Sequence, residues 1–124
     1  MYQIRFYRKE NGESPVEDFI RKLASQKSKD SRINLGKIRD YVKILQEHGT
    51  RAGEPFVKKV DDKEDIWELR PLRNRIFFVA WINETFVLLH VFQKKTQKTP
   101  PRQIEQARRE LKDLRERGIA DEEE

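Results

Sequence analysis

Residues 66–94 read IWELRPLRNRIFFVAWINETFVLLHVFQK. Three runs within this stretch, Ile66–Arg70, Arg75–Ile82 and Phe86–Lys94, are rich in the β-branched, aromatic and leucine side chains that suit a pleated surface. Asn83-Glu84-Thr85 supplies turn chemistry between the last two runs, so the spacing predicts consecutive antiparallel strands. The last two runs are apolar almost throughout, which places them in the middle of a sheet with both faces largely covered.

Upstream, Phe56-Val57-Lys58-Lys59-Val60 is a weaker strand candidate, joined to the meander by an acidic turn at 61–65. Near the start, Tyr2, Ile4 and Phe6 alternate with polar or amphipathic neighbours, the period-two signature of a further strand. Ser14-Pro15-Val16-Glu17 reads as an N-cap, a first-turn proline and a capping-box glutamate. Apolar residues then recur at helical spacing through Phe19, Leu23, Leu35, Ile38, Val42 and Leu45. The segment from about 15 to 48 is therefore a helical hairpin broken near Ser25–Asp30, with Gly49 as its C-terminal cap. Downstream, Thr99-Pro100-Pro101 starts a last helix, whose apolar stripe of Ile104, Ala107, Leu111 and Leu114 ends at Gly118.

The order is strand, two-helix hairpin, antiparallel meander, helix, which predicts an α+β domain with its helices packed on an antiparallel sheet. The 124 residues leave room for one core, so residues 1–118 are read as a single domain and 119–124 as an acidic C-terminal tail. No apolar run approaches the roughly 20 residues of a membrane span. The start MYQIRFYRKE carries charge where a signal peptide is apolar, and cysteine is absent. The expected location is the cytoplasm, without membrane contact. Lack of cysteine also excludes thiolate nucleophiles and cysteine-based zinc sites.

The net charge is +5, and its distribution says more than its size. Between Ile66 and Arg102, seven basic residues (Arg70, Arg73, Arg75, Lys94, Lys95, Lys98 and Arg102) face only Glu68 and Glu84, so this segment holds the whole excess. Such a local surplus is what a polyanionic partner requires, although strand-end cations also serve simply to protect sheet edges. Antiparallel pairing of 75–82 with 86–94 brings Arg75 and Lys94 to the same end of their hairpin, and the preceding turn delivers Arg70 and Arg73 there.

A cationic rim of this kind has a definite use against RNA, which carries its own nucleophile in the 2′-hydroxyl. The protein need only orient that group, take its proton and stabilise the charge on phosphorus, and arginine and lysine can do the last without a metal or other cofactor. Arginine offers a fork of donors to phosphate oxygens, and a lysine crowded by cations can exchange a proton. Arg70, Arg73 and Arg75 are the candidate phosphate clamps and Lys94 or Lys95 the candidate proton carrier. Phe92, of the same strand parity as Lys94, is a candidate base-stacking ring. Trp67, Phe77, Phe78 and Trp81 are assigned to the core. His48 reads as a helix C-terminal charge and His90 as a sheet-face residue, so no histidine metal site is expected. Glycine-loop, nucleophile-elbow and zincin motifs do not occur.

These same residues carry a resemblance. Ile66-Trp67-Glu68-Leu69-Arg70, then Arg73 and Arg75, then the tract from Leu88 to Pro100, with its paired lysines and Lys98-Thr99-Pro100, are similar to the phage-derived Gp49-like group of HigB toxins within the RelE/ParE superfamily. Ile104-Glu105-Gln106-Ala107 extends the likeness into the last helix. The resemblance implies a RelE-like fold, ribosome-dependent cleavage of mRNA without a cofactor, and silencing by a helix-turn-helix, HigA-like antitoxin that represses the shared operon. Operator DNA would then be contacted only through the antitoxin.

By position the resemblance implies Arg75 and Lys95 as the groups for phosphate stabilisation and proton transfer, with Arg70 where another basic strand residue is used. Arg73, Lys94, Lys98 and Phe92 complete the expected RNA-binding set. The chain lacks a tyrosine near the start of the last helix and histidines at the rim, so either a lysine moves the proton or catalysis rests on positioning and electrostatics. Two rival readings stand beside the ribonuclease: a nucleic-acid-binding module that only neutralises phosphates, and a degenerate toxin acting only through its antitoxin complex.

Overall fold

A computed structural model describes residues 1–119. The elements in chain order are β1 (Gln3–Phe6), α1 (Pro15–Ser25), α2 (Lys29–His48), a 3-10 turn (Gly49–Ala52), β2 (Val57–Asp61), β3 (Ile66–Leu69), β4 (Asn74–Trp81), β5 (Thr85–Gln93) and α3 (Pro101–Arg117). This is the α+β order that the residue pattern predicts, helix hairpin and meander included. Among the described residues no helix is long and apolar enough to cross a membrane.

The five strands form one sheet in the order β1-β5-β4-β3-β2. Strands β2 to β5 pair antiparallel as a meander. β1 departs from expectation: it lies parallel to β5, with Ile4 opposite Phe86 and Phe6 opposite Leu88, so the sheet is mixed. Alternation along a single strand carries no information about the direction of its neighbour. The long excursion through both helices and the meander before the chain returns beside β1 is what makes a parallel pairing possible.

Alternation along β4 divides the core in two. Ile76 and Phe78 face the α1–α2 layer with Leu35, Ile38 and Leu45. Phe77 and Val79 face α3 with Ala107, Leu111 and Leu114. The pairing of β4 with β5 slips between Phe77, opposite His90, and Phe78, opposite Leu88. The extra residue lets Leu89 join the α3-side cluster while His90 also reaches α3 through Gln103.

Local signals act much as their chemistry dictates. The Ser14 hydroxyl accepts from Glu17 N at 3.2 Å, but the Glu17 carboxylate pairs with Arg8 and Arg21. Gly49 closes α2 with φ +61. A Cβ there would stand 2.8 Å from the Tyr2 ring, so the glycine also admits the first residues of the chain against α2. Thr99 does not cap α3. Its N-cap is Pro100, without a side-chain bond. Tyr7 donates to Asp113 at 2.6 Å, tying the end of β1 to α3. Ile119, assigned to the tail by sequence, is instead buried in the α3-side cluster; the rest of that acidic segment, 120–124, lies outside the described residues.

Candidate functional site

The β3–β4 connection is short, and its backbone is unusual. Leu72 takes a left-handed conformation, φ +59, which side chains with a Cβ avoid at a cost of about 1 kcal/mol. Asn74 follows with its side chain fully out of solvent. Its amide donates to Asn34 Oδ1 of α2 at 2.8 Å and to the Pro71 carbonyl at 3.1 Å. Asn34 in turn donates to the Asp30 carbonyl. This buried amide chain fixes the turn to α2. A further main-chain bond, Lys94 N to Arg73 O at 2.7 Å, sets the segment after β5 beside the turn.

These constraints create an open hollow of about 550 Å³, lined by Arg70, Leu72, Arg73, Arg75, Lys94, Lys95, Thr96 and Gln97. Five of the seven residues expected from sequence thus meet in one place. Lys98 lines the adjoining hollow, which shares Lys94 and Gln97 with the first. Phe92 does not line either: its ring packs edge-on against Phe77, with centroids 5.3 Å apart, and belongs to the α3-side cluster.

Glu68 organises the arginines. Its carboxylate is nearly solvent-free and lies 3.3 Å from Arg70 Nε and 3.7 Å from Arg75 Nε. The Thr99 hydroxyl donates to its other oxygen at 3.2 Å. Arg70 also pairs with Glu54, and its amide N–H bonds the Phe56 carbonyl, holding it just beyond the end of β3. Strand parity explains the grouping, since Glu68, Arg70, Arg75 and Lys94 all fall on the α3-bearing face.

Arg75 is the most constrained cation. Its Nη1 donates to the carbonyls of Leu72 at 2.7 Å and Asn74 at 2.9 Å, and its Nε faces Glu68. None of the described hydrogen bonds takes up Nη2, which leaves one edge of a fixed fork for a ligand oxygen. The left-handed turn at Leu72 therefore has a local role, aiming a carbonyl at Arg75.

Burial pushes the Arg75 pKa down, with Glu68 opposing, yet a guanidinium stays charged throughout the working range. The Lys94 ammonium is also pushed below the ordinary lysine value, first by burial and then by Arg75, with Glu68 opposing. Lys95 is exposed. The arrangement can hold a tetrahedral anion against Arg75 and place a proton-labile amine beside it. Among the described residues no three His, Cys, Asp or Glu side chains gather as metal ligands would.

Sequence reasoning gave Glu68 no part in the site, and it missed Asn74. An asparagine directly ahead of the Arg75–Ile82 run was the available signal, because that residue type is depleted in strands.

A family model described as phage derived protein Gp49-like (DUF891) matches residues 20–112. That span holds the second half of α1, all of α2, the whole meander and most of α3. No curated protein matches the chain.

Proposed function

The chain belongs to the phage-derived Gp49-like family, and from that premise we propose that it is the toxin of a type II toxin–antitoxin pair, an endoribonuclease that cuts mRNA on the ribosome. The observation that carries this reading is the single hollow that gathers Arg70, Arg73, Arg75, Lys94 and Lys95, with Arg75 held by two carbonyls and Glu68. A non-specific surface patch has no need to immobilise one of its cations.

In the proposed reaction the 2′-oxygen of one nucleotide attacks the adjacent phosphorus while the bond from phosphorus to the 5′-oxygen breaks. The products are a 2′,3′-cyclic phosphate and a free 5′-hydroxyl. The proton of the 2′-hydroxyl leaves to a base and the departing 5′-oxygen gains one. Arg75, through Nη2, and Arg70 neutralise the charge that grows on the non-bridging oxygens, the differential stabilisation that lowers the barrier. Arg73 and Lys95, more exposed, orient the strand. Lys94 is better placed than Lys95 to exchange the proton, because its depressed pKa raises the fraction of free amine. The reaction draws on no cofactor. The partners in this reading are ribosome-bound mRNA in the cytoplasm and a helix-turn-helix, HigA-like antitoxin, with operator DNA reached only through the latter.

The test is to map transcript 5′ ends in cells expressing the chain or its Arg75→Lys variant, which keeps the charge and loses the fork. The proposal expects new 5′-hydroxyl ends within coding regions and arrested growth with the parent chain, both lost in the variant. Growth arrest without new ends would overturn cleavage in favour of a non-catalytic binder. Rescue of growth by co-expressing the neighbouring reading frame would identify the antitoxin.

A further inference from the structure

The hollow at Arg75 does not end at Lys94. A second opening of about 260 Å³ continues from it, lined by Lys58, Glu68, Lys94, Lys98 and Thr99 among others. Lys94 and Gln97 border both openings, so the two adjoin along that wall, between the β3–β4 turn and the start of α3.

Two cations of the second opening, Lys58 and Lys98, have no ion-pair partner among the described residues. Lys58 stands directly opposite Glu68 in the β2–β3 ladder, which puts it on the α3-bearing face at the sheet's edge strand. Its neighbour Lys59 is engaged, bonded to Asp65 at 2.7 Å and set over the Trp67 ring. Lys58 and Lys98 are both exposed. The one carboxylate nearby, Glu68, is already taken by Arg70, Arg75 and Thr99. α3 brings no acid into its first turn. Lys94 feels Lys58 as a repelling charge, together with Arg75 and Arg70. Uncompensated like charges along two adjoining openings are relieved by a polyanion lying across them.

We propose that Lys58 and Lys98 form a second phosphate subsite, which holds the RNA backbone at the phosphate next to the one bound at Arg75. The inference rests on the ribonuclease reading for the identity of the strand. Lys94 borders both openings, with Arg75 lining one and Lys58 and Lys98 the other, which suits a strand that carries more than one phosphate. A protein partner would want an apolar or aromatic anchor, and of the large exposed apolar side chains Met1, Ile33, Leu72 and Ile82 only Leu72 lines the Arg75 hollow and none lines the second opening.

The experiment measures binding of fluorescently labelled 2′-O-methyl RNA, which lacks the nucleophile and stays intact, across a salt series. Strands of about two and about eight nucleotides are compared, the longer within the usual range of single-strand sites. Lys58→Gln and Lys98→Gln are each set against Lys43→Gln, which removes an exposed charge from α2 on the other side of the sheet. The subsite predicts a several-fold loss of affinity for the long strand in both variants, with the salt slope reduced by about 0.7 for each lost contact. Binding of the short strand and the Lys43→Gln variant stay at the parent level.

Lys58→Gln behaving as Lys43→Gln overturns the subsite, as does an equal loss on short and long strands. Unchanged RNA binding with weakened antitoxin association overturns it in favour of a protein interface. Loss of new transcript ends in Arg75→Lys combined with an inert Lys58→Gln refutes this subsite alone. Intact long-strand selectivity in a chain that makes no new ends refutes cleavage and leaves the subsite standing.

Discussion

Glu68 Oε2 stands 3.7 Å from Arg75 Nε, with both side chains almost withdrawn from water. One buried carboxylate faces two guanidinium groups and the Thr99 hydroxyl, offsetting the repulsion between the cations while no anion is bound.

Glu68→Gln should therefore destabilise the protein before it affects any chemistry. Removing the charged partner of a buried pair is costly, and the residual exposure of Arg70 moderates the loss to about 2 kcal/mol, or roughly 6–10 °C in Tm for a domain of this size. Thermal unfolding checks it, and an unchanged midpoint would show that the arginines do not depend on Glu68.

The two adjacent lysines should separate cleanly. Lys94→Arg keeps the charge but cannot release a proton at working pH, and is expected to slow cleavage by about 10²–10⁴. Lys95→Arg is expected to cost little. Because Lys94 is held below the ordinary lysine value, the parent's rate should rise with pH earlier than free lysine allows, and Lys94→Arg should flatten that limb. The opposite ranking of the two variants would return the proton to Lys95, as the family resemblance implies.

Leu72 combines a left-handed backbone with a side chain 45% exposed. Leu72→Gly should raise stability by up to about 1 kcal/mol, since glycine adopts that conformation without the Cβ clash. A chemical-denaturation midpoint that falls instead would mean the leucine side chain contributes packing that outweighs the strain.

His90 should give the protein a pH-dependent component of stability. Its Nε2 lies 2.8 Å from Gln103 Oε1 and its Nδ1 3.4 Å from Glu110 Oε1, and neither Glu110 oxygen has a hydrogen-bond partner among the described residues. Burial works against the imidazolium, but Glu110 and Gln103 outweigh it, so the pKa is raised above 6.5; Lys9 opposes weakly. A raised folded-state value means that the stabilisation is fully present below the unfolded value and is lost as pH rises through the folded one. Urea midpoints measured from about pH 5 to about pH 9 should show the advantage of the parent over His90→Gln shrinking across that rise. A constant difference would mean that the ring titrates alike in the folded and the unfolded chain.

Sequence alone determined the elements and their order, because periodicity, turn residues and caps are local properties. It also singled out the basic segment, since antiparallel pairing brings Arg75 and Lys94 to the same end of a hairpin whatever surrounds them. It did not determine the parallel partner of β1, the alliance of Glu68 with arginines and Thr99, or the packing of Phe92 on Phe77. Strand parity tells which face a side chain occupies, but not whether a helix already covers that part of the face. The reach of Asn74 to Asn34, forty residues earlier, and of Lys58 to the second opening depended on how layers far apart in the chain came together. Only the tertiary structure could decide which cations were neutralised from within and which were left facing outward.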